Sequence, residues 1–177
     1  MAKQQWTADP NHSELGFKIR HLMITNINGK FNNFTVDAET EEEDFMTAKV
    51  KVTVDVDSIS TGNADRDKHL RSPDFFDVNA HKDITFVTTR YENVDNDGSY
   101  ELYGDLTIRD VTKSSKLAVE FGGVVKDPWG NTRAGFTVNG KINRKDFGLN
   151  WNAATEAGGV VVGDDVKISG EVQLVKK

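Results

Sequence analysis

Apolar and polar residues alternate along most of the chain, which is the pattern of β-strands with one buried face. The clearest case is Val50–Val56, where four valines alternate with Lys51, Thr53 and Asp55. The same period of two recurs in about eight segments. These segments are Leu15–Ile19, Phe34–Ala38 with a start at Gly29-Lys30-Phe31, Val50–Val56, Ile84–Val94, Leu102–Ile108, Leu117–Phe121, Phe136–Ile142 and Val166–Leu174. The pattern predicts an all-β fold.

Short turns separate these segments. Asp97-Gly98 is a hairpin signal, since both central residues of a type I′ turn need a positive φ. Asp127–Asn131, with its proline and glycine, indicates a second turn, and Glu41–Asp44 is an acidic run typical of a solvated loop. Short connections favour an antiparallel up-and-down barrel of eight strands over a parallel sheet. A two-sheet sandwich is the alternative architecture.

Two segments interrupt the alternation. Residues 63–77 combine many charges with Leu70 and two phenylalanines, and they indicate a short helix that ends in a turn at Pro73. Residues 144–152 are aromatic and irregular. We expect short helical segments at both places within the barrel.

Composition limits the function. The 177 residues fit one domain spanning 1–177. The formal net charge of -6 argues against nucleic acid and anionic membranes as main partners. No stretch approaches the roughly 18 apolar residues that span a bilayer, so we expect no membrane insertion. Met1–Trp6 lacks the apolar run of a secretory signal, and we therefore expect a cytoplasmic protein.

Three glycines fall on predicted inward faces: Gly104, Gly140 and Gly170. A barrel of about eight strands is wide enough either for side chains alone or for one small ligand. The glycines would leave room for a ligand, or they would let strongly bent strands turn corners. The sequence leaves both interpretations open.

The segment from Asp65 to Asp77 also has two interpretations. It is either a lid whose Arg66, His69 or Arg71 meets a polar head group, or a cap in which these charges pair with neighbouring aspartates. Residue types alone favour the cap for most of the segment.

Signatures of catalysis and of metal binding are weak. His12, His21, His69 and His81 are not spaced as metal ligands, and the phosphate-binding and nucleophile motifs are absent from the sequence. Asp65, Asp67, Asp74 and Asp77 include enough carboxylates for an acid–base pair, but such groups in a charged surface segment are usually solvated. We expect neither a metal nor a cofactor.

Four motifs, taken in order, make the chain resemble the YceI-like family. The motifs are Trp6-x-x-Asp9-x-x-His12-Ser13-x-x-x-Phe17-x-Ile19-x-His21-Leu22, DRDKHLRSPDFFD at 65–77, Gly104-x-Leu106-Thr107-Ile108-x-x-Val111-Thr112-Lys113, and Arg144-x-Asp146-Phe147-Gly148-Leu149-x-Trp151. The resemblance implies a lipocalin-like barrel of eight strands with an internal pocket. It also implies binding of a polyprenyl phosphate, a quinone or another long amphiphile, without an established catalytic activity.

The sequence and the resemblance together predict a lipid-binding protein that carries, stores or serves the metabolism of an isoprenoid. The predicted lipid-binding residues are Phe17, Ile19, Phe31, Val52, Leu70, Phe76, Phe86, Leu106, Phe121, Phe136 and Phe147. Arg66, His69 and Arg71 are the predicted head-group residues. The alternatives are an enzyme acting on an isoprenoid-like lipid and a ligand-free stress or interaction protein with a packed barrel. The expected partner is a small-molecule lipid, and a homodimer is left open.

Overall fold

The computed structural model of the protein describes residues 2–22, 24–93, 98–152 and 161–177. Eleven strands lie in these ranges: β1 Lys3–Ala8, β2 Glu14–His21, β3 Thr25–Phe31, β4 Phe34–Glu41, β5 Asp44–Asp55, β6 Ile59–Ser60, β7 Asp83–Asn93, β8 Ser99–Ile108, β9 Val111–Lys126, β10 Thr132–Asn143 and β11 Val162–Lys176. The same ranges contain one α-helix, α1 Ala64–Arg71, and 3₁₀ turns at Pro10–His12, Val56–Ser58 and Arg144–Phe147.

Eight of these strands close an antiparallel barrel in the order β1-β4-β5-β7-β8-β9-β10-β11. The ring closes because β1 pairs with both β4 and β11, with Trp6 opposite Ala38 on one side and Lys176 on the other. The long β11 also pairs with β2 over its first part, and β3 and then β6 extend the sheet from there. The predicted barrel of eight antiparallel strands is therefore confirmed.

Three strands depart from the sequence prediction, namely β1, β3 and the two-residue β6. β1 was missed because its sequence, KQQWTA, has only Trp6 as a large apolar residue. Trp6 nevertheless has 1% of its surface exposed. Residues 25–31 form a separate strand, β3, and are not the start of β4. The alternating pattern of β3 is hard to recognise because a glycine, Gly29, stands at one of its inward positions. The ring of Phe17 from the neighbouring strand covers that position.

The helix begins where the sequence predicts. The side-chain oxygen of Asn63 accepts a hydrogen bond from the backbone N–H of Arg66 at 3.0 Å, which caps α1. The helix ends at Arg71, and residues 72–77 turn back toward the sheet, with the N–H of Phe76 donating to the carbonyl of Leu70. The second irregular segment forms a single 3₁₀ turn, Arg144–Phe147.

The predicted turns have mixed outcomes. Asp127–Asn131 is a turn in which Gly130 has a φ of 89°. The acidic run is a tight hairpin instead of a loop, since β4 ends at Glu41 and β5 begins at Asp44. Asp97 of the predicted Asp97-Gly98 hairpin lies outside the described residues. Within the described residues, no helix is long and apolar enough to cross a membrane.

Candidate functional site

The barrel interior contains a cavity of about 410 Å³, which falls within the range of roughly 300–1,000 Å³ that is common for ligand pockets. Its wall is made mostly of aliphatic and aromatic side chains. Of the predicted lipid-binding residues, those on the wall are Phe17, Ile19, Phe31, Val52, Leu70, Phe76, Phe86, Leu106 and Phe136. Phe121 and Phe147 are not among the lining residues. Phe121 stacks on Phe136 with ring centroids 5.2 Å apart, and Phe147 is buried beneath the Arg144–Phe147 turn.

An aromatic cluster fills one end of the barrel. The ring of Phe45 lies 4.8 Å from Trp6, 5.0 Å from Phe136 and 5.5 Å from Phe121, measured between centroids. The indole N–H of Trp6 donates to the hydroxyl of the buried Thr40 at 3.0 Å. Aromatic rings in such tilted contacts pack densely and leave little space for a ligand. This aromatic cluster therefore closes one end of the cavity, and we call it the floor.

The other end is covered by α1 and the residues that follow it. Leu70, Phe75 and Phe76 line the cavity from this side, and Trp151 joins them from the segment after the 3₁₀ turn. The ring of His69 packs edge-on against two of these aromatic rings, 5.1 Å from Phe75 and 4.7 Å from Trp151 between centroids. Its Nε2 atom lies 2.9 Å from a carboxylate oxygen of Asp74. We call this region the helix end.

Arg144 is a buried cation on the cavity wall, with 2% of its surface exposed. Its Nε donates to the carbonyl of Gly163 at 2.8 Å. Its Nη1 donates to the carbonyls of Leu149 at 2.6 Å and Trp151 at 2.8 Å, and Nη2 reaches that of Val162 at 3.4 Å. Desolvation by burial lowers the pKa of the guanidinium, which still stays charged at neutral pH.

The charge of Arg144 is not neutralised by an ion pair with any described carboxylate. Asp164 is close enough to act on it electrostatically, but its ion pair is with Lys145, at 3.2 Å. Carbonyl dipoles solvate the guanidinium without cancelling its charge. An uncompensated cation in an apolar wall is costly, and such a group favours an anion beside it.

Arg66 is a second cation on the wall at the helix end. Its Nε donates to the hydroxyl of Thr61 and its Nη2 to the carbonyl of the same residue, both at 2.8 Å. A guanidinium has five N–H donors. Among the described residues, two of those of Arg66 have a partner, so three are available to a ligand. The neighbouring carboxylate of Asp67 accepts from the backbone N–H of Thr61 at 2.9 Å and from its hydroxyl.

Arg71 occupies a different position. Its Nε donates to the carbonyl of Asp57 at 3.0 Å and its Nη2 to that of Ile59 at 2.9 Å. A carboxylate oxygen of Asp57 lies 3.3 Å from the same Nε. Arg71 is not among the cavity-lining residues. The structure thus brings Arg66 and His69 to the cavity, whereas Arg71 ties α1 to the neighbouring β6.

The three inward glycines have different surroundings. A Cβ atom at Gly104 would lie 2.5 Å from the ring of Phe86, and one at Gly140 would lie 2.6 Å from Leu117. Large side chains therefore already cover these two glycines. Gly170 lines the cavity itself. The glycines let large inward side chains lie close to the sheet, and the cavity is what those side chains leave open.

Two tyrosines near the end of β7 and the start of β8 add polar atoms to the cavity wall. Tyr91 donates its hydroxyl hydrogen to the carbonyl of Ala48 at 2.6 Å. Its ring centroid lies 5.6 Å from that of Tyr100. Burial raises the pKa of Tyr91 from 10.0 to about 12, and burial also raises the pKa of Tyr100. Both hydroxyls are neutral at physiological pH and add no charge to the wall.

None of the carboxylates considered for catalysis lines the cavity, although Asp67 and Asp74 bond to the lining residues Thr61 and His69. Asp65, Asp67, Asp74 and Asp77 are not lining residues. Within the described ranges, no group of three histidine or carboxylate side chains is placed to hold a metal ion.

Sequence reasoning missed Arg144, Trp151, Tyr91 and Tyr100 as residues of the cavity wall. Arg144 and Trp151 both belong to the late motif on which the family resemblance rests. An arginine directly after a predicted strand normally indicates a solvated surface position, so residue type alone could not locate it. The one sequence feature that points to Arg144 is its position between the inward-facing Ile142 and the aromatic segment that follows it.

Fold and site together define a closed antiparallel barrel with an apolar interior cavity and a charged end. The family described as YceI-like domain matches residues 6–174, and the chain belongs to this family. A UPF0312 protein of Staphylococcus aureus strain MSSA476 is 41% identical over 170 residues, which cover 96% of each chain.

Solved structures agree with the fold. The YCEI protein of Campylobacter jejuni is 35% identical, with a TM-score of 0.74 over 88% of both chains. BcnA of Burkholderia cenocepacia is 19% identical, with a TM-score of 0.80 over 94% of this chain and 98% of its own. A polyisoprenoid binding domain from Saccharophagus degradans is 13% identical, with a TM-score of 0.62 over 96% of this chain and 97% of its own. The last two share the fold.

Proposed function

We propose that the protein binds one long-chain isoprenoid, of the polyprenyl phosphate or quinone type, or a similar amphiphile, and that it carries, stores or presents this lipid. The observation that carries the proposal is an apolar cavity with Arg66 and Arg144 at one end. An amphiphile has the same division, a hydrocarbon tail with a polar head. The fold shared with a polyisoprenoid binding domain supports the same class of ligand.

The tail would supply most of the affinity. Each buried CH₂ group contributes about 0.8 kcal/mol, and the aliphatic wall can accept branched hydrocarbon in many positions. Selectivity for a particular chain would therefore be low.

The head group would lie at the helix end. Arg66 has free N–H donors there, and Arg144 adds positive charge that no described carboxylate pairs with. A phosphate can accept charge-assisted hydrogen bonds from such groups. A quinone oxygen can accept from the same donors, but it gains less because it carries no charge. The two arginines therefore favour an anionic head group, with His69 beside it.

A titration with a cavity-filling variant tests the proposal. Val52 lines the cavity, and the adjacent Lys51 is exposed on the outer face of the same strand. We expect Val52→Phe to weaken binding of a polyprenyl phosphate, because the larger side chain occupies the space of the tail. Lys51→Phe, the matched control, should bind like the wild type. Equal affinity of all three proteins would show that the ligand lies elsewhere, provided that thermal melting shows Val52→Phe to be folded.

A further inference from the structure

A row of lysines crosses the outer face of four neighbouring strands. Lys18 of β2 is directly opposite Lys167 of β11, and Lys167 is directly opposite Lys141 of β10. On β9, Lys116 follows one residue beyond the Gly140–Leu117 pair and so continues the row. These side chains point outward, because the flanking Phe17, Ile19 and Ile168 line the cavity.

Such a row is unfavourable for the isolated protein. Like charges directly opposite one another on neighbouring strands destabilise a sheet. Two of the lysines are partly compensated, since Lys141 lies 3.5 Å from Asp165 and Lys116 lies 3.4 Å from Glu101. Within the described part of the chain, Lys18 and Lys167 have no carboxylate at ion-pair distance.

The row borders a shallow outer groove. Five lysines line this groove, namely Lys18, Lys113, Lys116, Lys141 and Lys167. Asp146 is the one carboxylate among the described residues that line it. The chain as a whole has a net charge of -6, so the groove is a local positive surface on an acidic protein. This is the footprint of a surface that attracts anions.

Apolar side chains are exposed beside this surface. The turn that follows β2 exposes 40% of Leu22 and 73% of Ile24. Leu22 has a φ of 52° and donates its N–H to the carbonyl of Val161 at 2.8 Å. The turn thus presents aliphatic side chains at the tip of a strand whose outer face carries Lys18.

The turn and the lysine row lie at the helix end of the barrel. His21, the last residue of β2, pairs with Val162, and Arg144 donates to the carbonyls of Val162 and Gly163. The charge on this outer face changes sign further along the strands. Glu171, four residues beyond Lys167 in β11, lies directly opposite Glu14 on one side and Thr137 on the other, and Thr137 is in turn opposite Glu120.

We propose that the helix end docks on a bilayer surface that contains anionic phospholipid, with Leu22 and Ile24 at the level of the head groups and the lysine row against their phosphates. An anionic bilayer surface binds exposed aliphatic side chains that lie next to basic residues. Burial of the aliphatic side chains and electrostatic attraction of the basic residues to the lipid phosphates both contribute to the affinity. No segment spans the membrane in this mode. The docked barrel brings Arg66 and Arg144 toward the surface that would supply or receive a lipid.

Vesicle co-sedimentation tests the docking directly. The probes are vesicles of phosphatidylcholine alone and of phosphatidylcholine mixed with phosphatidylglycerol, neither of which contains an isoprenoid. We expect the wild type to bind the mixed vesicles, with an affinity that falls as salt is raised. Lys18→Gln with Lys167→Gln should lower the partition coefficient on the order of twentyfold, since each lysine near an anionic surface contributes about fivefold. Ile24→Ser should lower it at every salt concentration.

Trp129→Ser is the matched control. Trp129 is 81% exposed, more than either aliphatic residue, but it lies in the Asp127–Asn131 turn between β9 and β10, at the end of the barrel opposite α1. It should leave vesicle binding unchanged. Thermal melting should show that Lys18→Gln with Lys167→Gln is at least as stable as the wild type, because the substitutions relieve repulsion.

Three outcomes would overturn docking. They are equal binding to neutral and mixed vesicles, a loss caused by Trp129→Ser but not by the lysine variant, and no vesicle binding by a folded wild type. The last would leave an acidic protein partner as the candidate for the basic groove. Lipid binding in the cavity is measured without vesicles, so failure of the docking proposal leaves the proposed function standing.

Discussion

The guanidinium of Arg144 donates a hydrogen bond of 2.8 Å to the carbonyl oxygen of Trp151. The ring of Trp151 in turn contacts His69 of α1, with centroids 4.7 Å apart. One buried cation therefore fixes the aromatic segment that holds the helix over the cavity. The same side chain serves the structure through its bonded N–H groups and serves the site through its charge.

We expect Arg144→Lys to lower the free energy of unfolding by roughly 2–4 kcal/mol. An ammonium cannot reproduce the planar fork of a guanidinium, and each buried carbonyl left without a donor costs about 1–3 kcal/mol. Urea unfolding measures the change. Arg109→Lys is the control, because Arg109 is only half-buried and its side chain makes one hydrogen bond among the described residues, to the carbonyl of Gly148, and it should stay within about 0.5 kcal/mol of the wild type. Equal, small effects of both variants would contradict the structural role of Arg144.

Arg66→Ala should weaken binding of a polyprenyl phosphate by tenfold or more, at about 1.4 kcal/mol per factor of ten, and should leave binding of a quinone with the same tail nearly unchanged. The tail contributes equally to both ligands, so it cancels in the comparison. Arg71→Ala is the control on the same helix, and it should change neither affinity selectively. Parallel losses of both ligands in Arg66→Ala would mean that Arg66 only holds the helix in place.

Gly104→Ala should lower the free energy of unfolding by roughly 1–3 kcal/mol through overpacking. The added methyl group would lie 2.6 Å from the backbone carbonyl oxygen of Val87 as well as against Phe86, and the backbone cannot yield as a side chain can. At Gly135 nothing lies within 4 Å of an added Cβ, so Gly135→Ala should stay within about 0.5 kcal/mol of the wild type. Thermal or urea unfolding of the pair decides whether the Phe86 packing is as tight as described.

Stability should decline in the alkaline range because of the buried tyrosines. The pKa of Tyr91 is raised from 10.0 to about 12, so the folded state holds its proton more tightly than the unfolded state does. This contribution is complete below pH 10 and is lost as the pH rises through about 12. Tyr91→Phe with Tyr100→Phe should flatten the alkaline decline in the free energy of unfolding. An unchanged decline would show that other groups cause it.

The sequence predicts most of the fold for a physical reason. In strands such as β5, the pleat places every second valine inside, so burial is written directly into the order of residues. β1 escapes this rule because it closes the ring with one large buried residue, Trp6. β3 escapes it because its inner surface is partly covered by Phe17 from the neighbouring strand, which reaches over Gly29.

The site is less visible in the sequence. Alternation identifies wall residues such as Phe17 and Val52, since they follow the inner face. It does not identify Arg144, whose role depends on hydrogen bonds to the carbonyls of Gly163 and Trp151. Gly163 is distant in sequence, and Trp151 lies in a segment without regular secondary structure. It also assigns Arg66 and Arg71 equal standing, because their separation on the helix does not show that only Arg66 reaches the cavity.

Native mass spectrometry of the purified protein, followed by organic extraction, tests the central claim most directly. The apolar cavity of about 410 Å³ predicts one bound amphiphile per chain, either retained through purification or taken up from added polyprenyl phosphate or quinone. The bound species should be released when the protein unfolds. A protein that emerges empty and gains no mass with any added isoprenoid would contradict the account.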